Sequence, residues 1–312
     1  MRLDDGKGGG PLLRVTATHL LVGVSAVRAG DAVAVVDGGP GPRRVFVPSP
    51  LPCGECPYCR RALTAACPNQ RTPISLDQHT AVDVPDRFIT ELGEPAWGEL
   101  RSEVVAGAGL VAEILDATAR SGLGPGDTAI WIGDEPWVSL GAAFSARRSC
   151  RTFTVGVVGS SERSESAASA AVGEPIVTLP ATETPGGWQA TIAAAEAASG
   201  AGPGRPERRI FVFSAEPAWA TMALHLAAPG ATLAFRRGLP GQLVGFDGLV
   251  ATRVLVGGGY HPDLIPEALA VLARGQLDIS QAIRLVAEAD RDSALTLSGT
   301  STDRRFPLVS LV

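Results

Sequence analysis

The chain has 312 residues, 45% of them hydrophobic and 19% charged, which is enough apolar material for about two packed domains. Its formal net charge of −5 and the scatter of its basic residues argue against a nucleic-acid surface. No apolar run could span a bilayer, and the first residues lack the basic-then-apolar order of a signal peptide. We therefore expect a cytoplasmic protein without a nucleic-acid or membrane partner.

Four of the five cysteines lie within fifteen residues and read C-x2-C-x2-C-x7-C. In a reducing compartment this clustering indicates a metal site rather than disulfides. Four thiolates on one loop fill every position of a tetrahedral zinc, so that no substrate or water can bind the metal. An iron–sulfur cluster is the alternative, because repeated C-x2-C steps also suit one. The sequence predicts a structural zinc site with the ligands Cys53, Cys56, Cys59 and Cys67.

The cysteine loop follows an apolar strand over Val45–Pro52, and the whole segment resembles the structural zinc lobe of the medium-chain dehydrogenase/reductase family, the zinc-type alcohol dehydrogenases. Arg60 and Arg61 would offset the charge of the four thiolates. The resemblance implies a GroES-like, β-rich domain, shortened at its N-terminus. Within the family, Pro48–Cys56 and Arg120–Leu123 look most like the branch that contains cyclohexene-carbonyl-CoA dehydrogenases.

From about residue 105, short β-rich runs alternate with alanine-rich stretches of helical spacing. The predicted strands are Thr128–Ile132, Arg151–Val158, Ile176–Leu179, Arg209–Phe213, Thr232–Phe235 and Arg253–Val256. The predicted helices are Trp137–Arg148, Glu162–Val172, Gln189–Ala198, Ala218–Ala227 and Ile265–Ala273. This alternation predicts the α/β class, with a doubly wound, Rossmann-like parallel sheet covered on both faces.

The family resemblance continues through this half in the segments Gly122–Asp127, Ala228–Phe235 and Asp303–Val312. It implies a GroES-like domain over residues 1–105 with the zinc lobe at 53–67, a Rossmann-like nucleotide-binding-type domain over 106–284, and a return to the first domain over 285–312. It also implies a homodimer or a heteromer joined through the Rossmann-like domain, where the strand near Arg253–Val256 would meet its symmetry mate.

The turn after the first parallel strand is where a dinucleotide fold needs the glycines of G-x-G-x-x-G. Only Gly133 stands at such a position here, and Glu135 and Val138 occupy the other two. Asp134 and Glu135 also place negative charge where a pyrophosphate would lie. We interpret Asp134 as the N-cap of the following helix and Pro136 as part of its first turn. The sequence therefore predicts a degenerate cofactor turn that has lost ordinary NAD(P) binding.

A dinucleotide site also uses an acidic residue at the end of the second strand to bind the ribose. Val157 stands near that place, and the first carboxylate beyond it is Glu162. Arg163 could instead pair with a ribose phosphate and favour NADP, or it could be an exposed residue at the start of a helix.

The resemblance implies a catalytic zinc held by an early cysteine or aspartate, a histidine in Gly-His-Glu, and a third ligand after the lobe. Two alignments are open: His19 within Thr18–Gly23, with Leu20 in place of the glutamate, or Gly30–Gly39 as the strand that precedes the first ligand. Neither supplies a ligand set. The segment Ala106–Ala112 offers no third ligand.

The remaining candidates for catalysis are isolated in the sequence. Cys150, the fifth cysteine, is interpreted as a small core residue ahead of the second strand. The other histidines, each interpreted as structural or exposed, are His79, His225 and His261. No residue is therefore assigned a catalytic role.

Two functions remain open at this point, besides a decaying gene product. The first is a pseudoenzyme that keeps the fold and the zinc but transfers no hydride, and serves as a subunit, a regulator or a small-ligand binder. The second is a zinc-independent NAD(P)H-dependent oxidoreductase acting on an alcohol, enone or acyl-CoA-type substrate, with a cofactor pose that avoids Glu135 by using Gly257–Gly259 or Arg163.

Overall fold

The structure is a computed structural model that describes residues 11–21, 31–36, 41–61, 64, 67–75, 82–93, 95–134, 136–155, 176–180, 184–198, 207–214, 217–236, 253–256, 259–280, 282–287 and 306–311. The chain divides into two compact units, one formed by Met1–Ala112 and Tyr260–Val312 and the other by Glu113–Gly259. Each unit is built around a sheet of its own.

The described strands are β1 Leu12–Leu21, β2 Ala32–Val36, β3 Arg43–Val47, β4 Val82–Pro85, β5 Thr90–Glu91, β6 Thr128–Gly133, β7 Arg151–Val155, β8 Ile176–Leu179, β9 Arg208–Phe213, β10 Thr232–Phe235, β11 Arg253–Val256, β12 Ile283–Val286 and β13 Phe306–Ser310. The described α-helices are α1 Pro95–Gly98, α2 Ser102–Ala106, α3 Ala108–Ser121, α4 Trp137–Arg147, α5 Pro185–Ala198, α6 Pro217–Leu226 and α7 Ile265–Ala273. Short 3₁₀ helices occupy Cys59–Arg61, Asp86–Phe88 and Pro262–Leu264.

The first unit contains a seven-stranded sheet with the order β12-β13-β1-β2-β3-β5, and β4 also pairs with β1. Its neighbours are antiparallel except for the parallel pair β12–β13. The valine-rich strands bury one cluster that includes Val15, Leu20, Val45, Val84 and Val309. Strand β13 pairs with β1, so Phe306–Ser310 belongs to the first sheet.

The second unit contains a six-stranded parallel sheet with the order β11-β10-β9-β6-β7-β8. This order reverses between β6 and β9, which is the topological switch point of a doubly wound sheet. The predicted strands are present, three of them with the predicted bounds: Ile176–Leu179, Thr232–Phe235 and Arg253–Val256. The predicted helix Glu162–Val172 lies outside the described residues.

Successive side chains of the central strands alternate between the two faces of this sheet. On one face, Ile130 and Val212 pack in a cluster with Trp188 of α5 and Ala223 of α6. On the other, the Trp131 ring lies so close to α4 that a Cβ on Gly141 would be 2.4 Å from it. Helices therefore cover both faces, which explains why these strands are apolar throughout rather than alternating.

The two compact units divide the chain at residues 112 and 259, whereas the predicted domain limits lie at 105 and 284. The difference at the second limit has a direct cause: β12 pairs with β13 in the first sheet, and α7 precedes it in the same unit. As functional domains, the predicted limits stay a prediction. None of the described helices combines the length and apolarity that a membrane crossing requires.

Candidate functional site

The four clustered cysteines converge in the first unit. Their sulfur atoms all lie within 4.8 Å of one another. The Sγ atom of Cys59 is 3.8 Å from that of Cys53 and 3.4 Å from that of Cys56. A tetrahedral zinc with Zn–S distances of about 2.3 Å requires sulfur–sulfur separations of about 3.8 Å. The residues therefore fit one tetrahedral metal ion.

Backbone amides of the loop point at these sulfurs. The N–H groups of Cys53, Cys56 and Cys59 donate to sulfur atoms of Cys67, Cys53 and Cys56, at 3.4, 3.4 and 3.5 Å respectively. A backbone hydrogen bond from Glu55 is the main reason that the pKa of Cys53 falls to about 6. Burial instead raises the pKa of Cys59 to about 12. Binding of a metal cation at neutral pH would therefore expel a proton from Cys59.

A cation that the sequence analysis missed also contacts the lobe. Arg60 and Arg61, predicted to offset the thiolate charge, are exposed in the short 3₁₀ helix. Arg87, by contrast, donates from Nη2 to the Cys53 carbonyl at 3.2 Å. A Cβ on Gly54 would lie 2.8 Å from the same nitrogen, so this glycine admits the arginine. Arg87 follows the lobe by too many residues for a local motif to indicate the contact.

The β6–α4 turn, predicted to be the degenerate cofactor site, lies at the switch point of the parallel sheet. Gly133 has a φ of +128°, and a Cβ there would lie 2.5 Å from the carbonyl oxygen of Phe213, at the end of β9. The Asp134 N–H donates to the same carbonyl at 2.9 Å. The Ser214 hydroxyl donates to Asp134 Oδ1 at 3.2 Å. Gly133 thus allows the close approach of β6 and β9, and the Asp134 amide contributes a hydrogen bond between them.

The prediction that Asp134 caps helix α4 is wrong. The helix begins at Trp137 after Pro136, and among the described residues no side chain forms a cap hydrogen bond there. Asp134 contributes its backbone carbonyl, which accepts from the Val138 N–H at 3.4 Å, while its carboxylate turns to Ser214. The carboxylate thus accepts a hydrogen bond from a residue 80 positions away in the chain rather than capping the helix that follows it. Glu135 lies outside the described residues.

Side chains from three separate segments cover the same carboxyl edge of the sheet. Arg236, just after β10, forms a two-point ion pair with Glu113 of α3, with Nε–Oε2 and Nη2–Oε1 distances of 2.9 and 3.3 Å. Its guanidinium carbon lies 3.6 Å from the ring centroid of Trp137, which is itself 6.5 Å from the Phe213 ring. We call Glu113, Trp137 and Arg236 the carboxyl-edge cluster. These three residues are far apart in the sequence, so no sequence motif predicts the cluster.

A dinucleotide in the usual pose binds at this edge of a parallel sheet. That pose needs amides free to approach a pyrophosphate, whereas the Asp134 amide already donates to Phe213. The cavity beside the cluster, lined in part by Glu113, Arg120 and Arg236, has a volume of about 20 Å³. That space is sufficient for about one water molecule. Val138, at the third glycine position, is a buried side chain.

Among the histidines, His19 lies in β1, half-buried, with Nδ1 3.1 Å from the Thr18 hydroxyl oxygen. Burial is the main cause of its lowered pKa. His225 is in the last turn of α6, and His261 Nδ1 accepts from the Asp263 N–H at 3.3 Å. In the part of the chain that the structure describes, the cysteine lobe is the one group of three or more metal-ligating side chains that converge.

The remaining predicted positions fall into two groups. Cys150 is fully buried ahead of β7, so its interpretation as a core residue is confirmed, and Ala106–Ala112 forms the end of α2 and the start of α3. The positions that lie outside the described residues are Gly30, His79, Val157, Glu162, Arg163, Gly257 and Gly258.

No protein-family model matches the sequence, and no curated protein matches it either. Solved structures do. Galactitol-1-phosphate dehydrogenase from Escherichia coli superposes with a TM-score of 0.75 at 14% identity, over 99% of this chain and 95% of that one. The alcohol dehydrogenase of Thermus sp. ATN1 gives 0.74 at 18% identity, over 99% and 95%. The chain has the alcohol dehydrogenase fold.

A further alcohol dehydrogenase, the short-chain enzyme of E. coli CFT073 in complex with NADH, gives a TM-score of 0.73 at 14% identity, over 100% of this chain and 94% of that one. The predicted α/β class, with a Rossmann-like sheet and a GroES-like domain, is confirmed by this fold. At such low identity the likeness extends to the fold alone. The closeness to cyclohexene-carbonyl-CoA dehydrogenases stays a prediction.

Proposed function

We propose that this chain is a pseudoenzyme of the alcohol dehydrogenase fold, which keeps a structural zinc but neither binds a nicotinamide dinucleotide in the usual pose nor transfers hydride. Its role is that of a subunit, a regulator or a small-ligand binder. Function has to be argued from the site and not from the fold, because one fold serves many activities.

One observation carries this proposal: at the switch point, the ends of β6 and β9 are bonded to each other. The Asp134 amide, in the turn where a dinucleotide fold binds the pyrophosphate, donates to the Phe213 carbonyl, and the same carbonyl lies against Gly133, the glycine of the tight turn. The acidic Asp134 side chain, held by Ser214, adds a negative charge at the same place. A diphosphate there would meet the Asp134 carboxylate and an Asp134 amide that is already bonded.

The metal part of the proposal rests on the sulfur geometry. The ligands Cys53, Cys56, Cys59 and Cys67 would hold one zinc ion, with every coordination position filled by the protein. A closed site of this kind stabilises the loop and supplies no Lewis acid. An iron–sulfur cluster remains the alternative occupant, and metal analysis distinguishes the two.

The decisive experiment is a titration of the purified full chain with NADH and NADPH, by calorimetry and by nicotinamide fluorescence, with metal analysis of the same sample. We expect near-stoichiometric zinc and no saturable binding of either nucleotide. Saturation at micromolar concentrations would refute the pseudoenzyme proposal. The alcohol dehydrogenase of E. coli CFT073, which is known in complex with NADH, is handled identically as the positive control for NADH binding.

A second function is favoured by the full-length likeness to an alcohol dehydrogenase in complex with NADH. In that function the chain is an NAD(P)H-dependent, zinc-independent oxidoreductase that acts on an alcohol, enone or acyl-CoA-type substrate. The cofactor would lie away from the β6–α4 turn, near Gly257–Gly259 or Arg163.

Replacing Glu135 and Val138 together by glycine separates the two functions. An oxidoreductase that avoids the turn should bind NADPH as tightly after the change as before it. A pseudoenzyme should show no binding before the change and a gain, if any, after it.

The assembly and location of the protein are also proposals. By analogy with the fold, we propose a homodimer or a heteromer joined through the parallel sheet at the edge strand Arg253–Val256, in the cytoplasm. Sedimentation of the purified chain, with a Val254→Asp variant as the interface probe, tests the first of these.

A further inference from the structure

We propose that the carboxyl-edge cluster, Glu113, Trp137 and Arg236, is an autoinhibitory contact that occupies the nucleotide crevice of this fold and keeps dinucleotides out. This inference rests on the proposed function and deepens it: the β6–α4 turn removes the usual phosphate ligands, and the cluster fills the space that the cofactor would need.

The cluster lies at the carboxyl ends of the central strands. In open parallel sheets, ligands bind in the crevice outside the carboxyl ends of the strands, at the switch point. Trp137 is the first residue of α4 and follows β6, while Arg236 follows β10 directly. The Arg236 N–H also donates to the Val212 carbonyl of β9, at 3.0 Å, which fixes its backbone across the strand ends. The cluster therefore lies over three neighbouring strands at their carboxyl edge.

The aromatic residues of this edge are tightly packed. Trp137 is 6% exposed, and Phe213, whose ring it contacts, is 2% exposed. Stacking of the guanidinium on the indole face at 3.6 Å closes the gap between helix α4 and the end of β10. The cavity that the described residues form beside the cluster, of about 20 Å³, is far below the several hundred Å³ of a cofactor site.

The charge of Arg236 is paired within the cluster. An arginine at a strand end could bind a phosphate, but the Nε and Nη2 side of the Arg236 guanidinium is directed to the Glu113 carboxylate. The side chains of both partners are mostly buried, at 19% and 11% exposure. A diphosphate approaching this side of the guanidinium would have to displace the carboxylate and then remain beside it. Glu113 thus neutralises the one cation that the cluster presents to the crevice.

The three residues of the cluster lie on or beside helices and strands that are packed against the sheet. Shortening their side chains should therefore empty the crevice without unfolding a strand or helix. The test compares the full-length wild type with Trp137→Ala, Arg236→Ala and the double variant, by NADH and NADPH titration. The matched control is Arg120→Ala, which removes a cation lining the same cavity that pairs with Asp116 instead.

We expect the double variant to show saturable binding of at least one of the two nucleotides, about tenfold or more tighter than the weakest affinity that the assay detects, and the Arg120→Ala control to show none, like wild type. Circular dichroism and thermal melting verify that each variant is folded. If the alanine variants do not fold, Trp137→Leu decides, because leucine keeps an apolar contact to Phe213 while removing the surface on which the guanidinium stacks.

Folded variants that bind neither nucleotide more tightly than wild type would overturn the inference and leave the pseudoenzyme proposal intact. Micromolar binding by wild type would overturn both. A gain in the double variant and an equal gain in Arg120→Ala would show a general charge effect, which also counts against the cluster.

Discussion

The zinc lobe and the β6–α4 turn both resemble motifs of the same family, yet their relation to the sequence differs. The lobe's four sulfurs come from one loop, and the contacts that orient them are mostly amides of that loop. The turn's partners are Phe213 and Ser214, about 80 residues further along the chain. In a local motif, the spacing of the residues determines the geometry of the site. At the end of a strand, the contacts of a residue depend instead on the neighbouring strand.

Gly133 illustrates the difference. In the sequence it is the surviving glycine of a dinucleotide motif, whereas in the structure it is required by the close approach of the Phe213 carbonyl. A positive φ and a Cβ distance of 2.5 Å explain the glycine without any phosphate. A residue can therefore remain at a motif position for a packing reason alone.

The largest expected effect is that of removing one cysteine ligand from the zinc lobe. Cys59→Ser removes one of four metal ligands, so zinc should be lost and the melting temperature should fall by roughly 10 °C, because metal binding is coupled to folding of the loop. Metal analysis and thermal melting measure both outcomes. Cys150→Ser, the control, should retain its zinc. Iron with sulfide in the wild type would contradict the zinc assignment, and unchanged metal content in Cys59→Ser would contradict the ligand set.

The next effect probes the turn. Gly133→Ala should lower the free energy of unfolding by about 2–4 kcal/mol, because the methyl group meets a carbonyl and the backbone is left-handed. Urea unfolding without any nucleotide measures the loss. Gly124→Ala is the matched control, since its Cβ would meet nothing closer than Asp127 Oδ2, at 3.8 Å. Equal stability of both variants would mean that Gly133 is not held by packing.

A smaller effect tests what Asp134 does. Ser214→Ala should cost about 0.5–1.5 kcal/mol through its lost hydrogen bond. In a double-mutant cycle with Asp134→Ala, the coupling should account for most of the cost of the aspartate change. If Asp134 instead capped α4, Asp134→Ala would lower the free energy of unfolding by the same amount in the wild type and in the Ser214→Ala variant.

The smallest expected effect compares two thiols. Burial, helped by the negative charge of Asp127, raises the pKa of Cys150 to about 11, so it should stay protonated and unlabelled by iodoacetamide at pH 8 in the native protein. After chelation of the metal, Cys53, with a pKa of about 6, should be labelled first. Mass spectrometry of the digested chain identifies the sites. Rapid labelling of native Cys150 would show that its pocket opens.

Much of the fold could be predicted because its signals are local. Short apolar runs such as Ile176–Leu179 and Thr232–Phe235 form strands as predicted, and the spacing of the cysteines limits them to one loop. The contacts that the sequence analysis missed join distant segments: Arg87 to Cys53, and Arg236 to Glu113 and Trp137. Single residues of common types, far apart in the chain, carry no pattern from which to infer such contacts.

The sequence by itself determined that the protein alternates strands and helices, that four cysteines converge on a metal-sized site, and that the glycines of a dinucleotide turn are largely absent. Only the tertiary structure decided what replaced them. Because β6 lies beside β9, the Asp134 amide bonds to Phe213 and the Asp134 carboxylate bonds to Ser214. The end of β10 places the Arg236 guanidinium on the Trp137 ring. The physical reason is that a side chain bonds to the partner which the packed strands bring within reach, however distant that partner is in the chain.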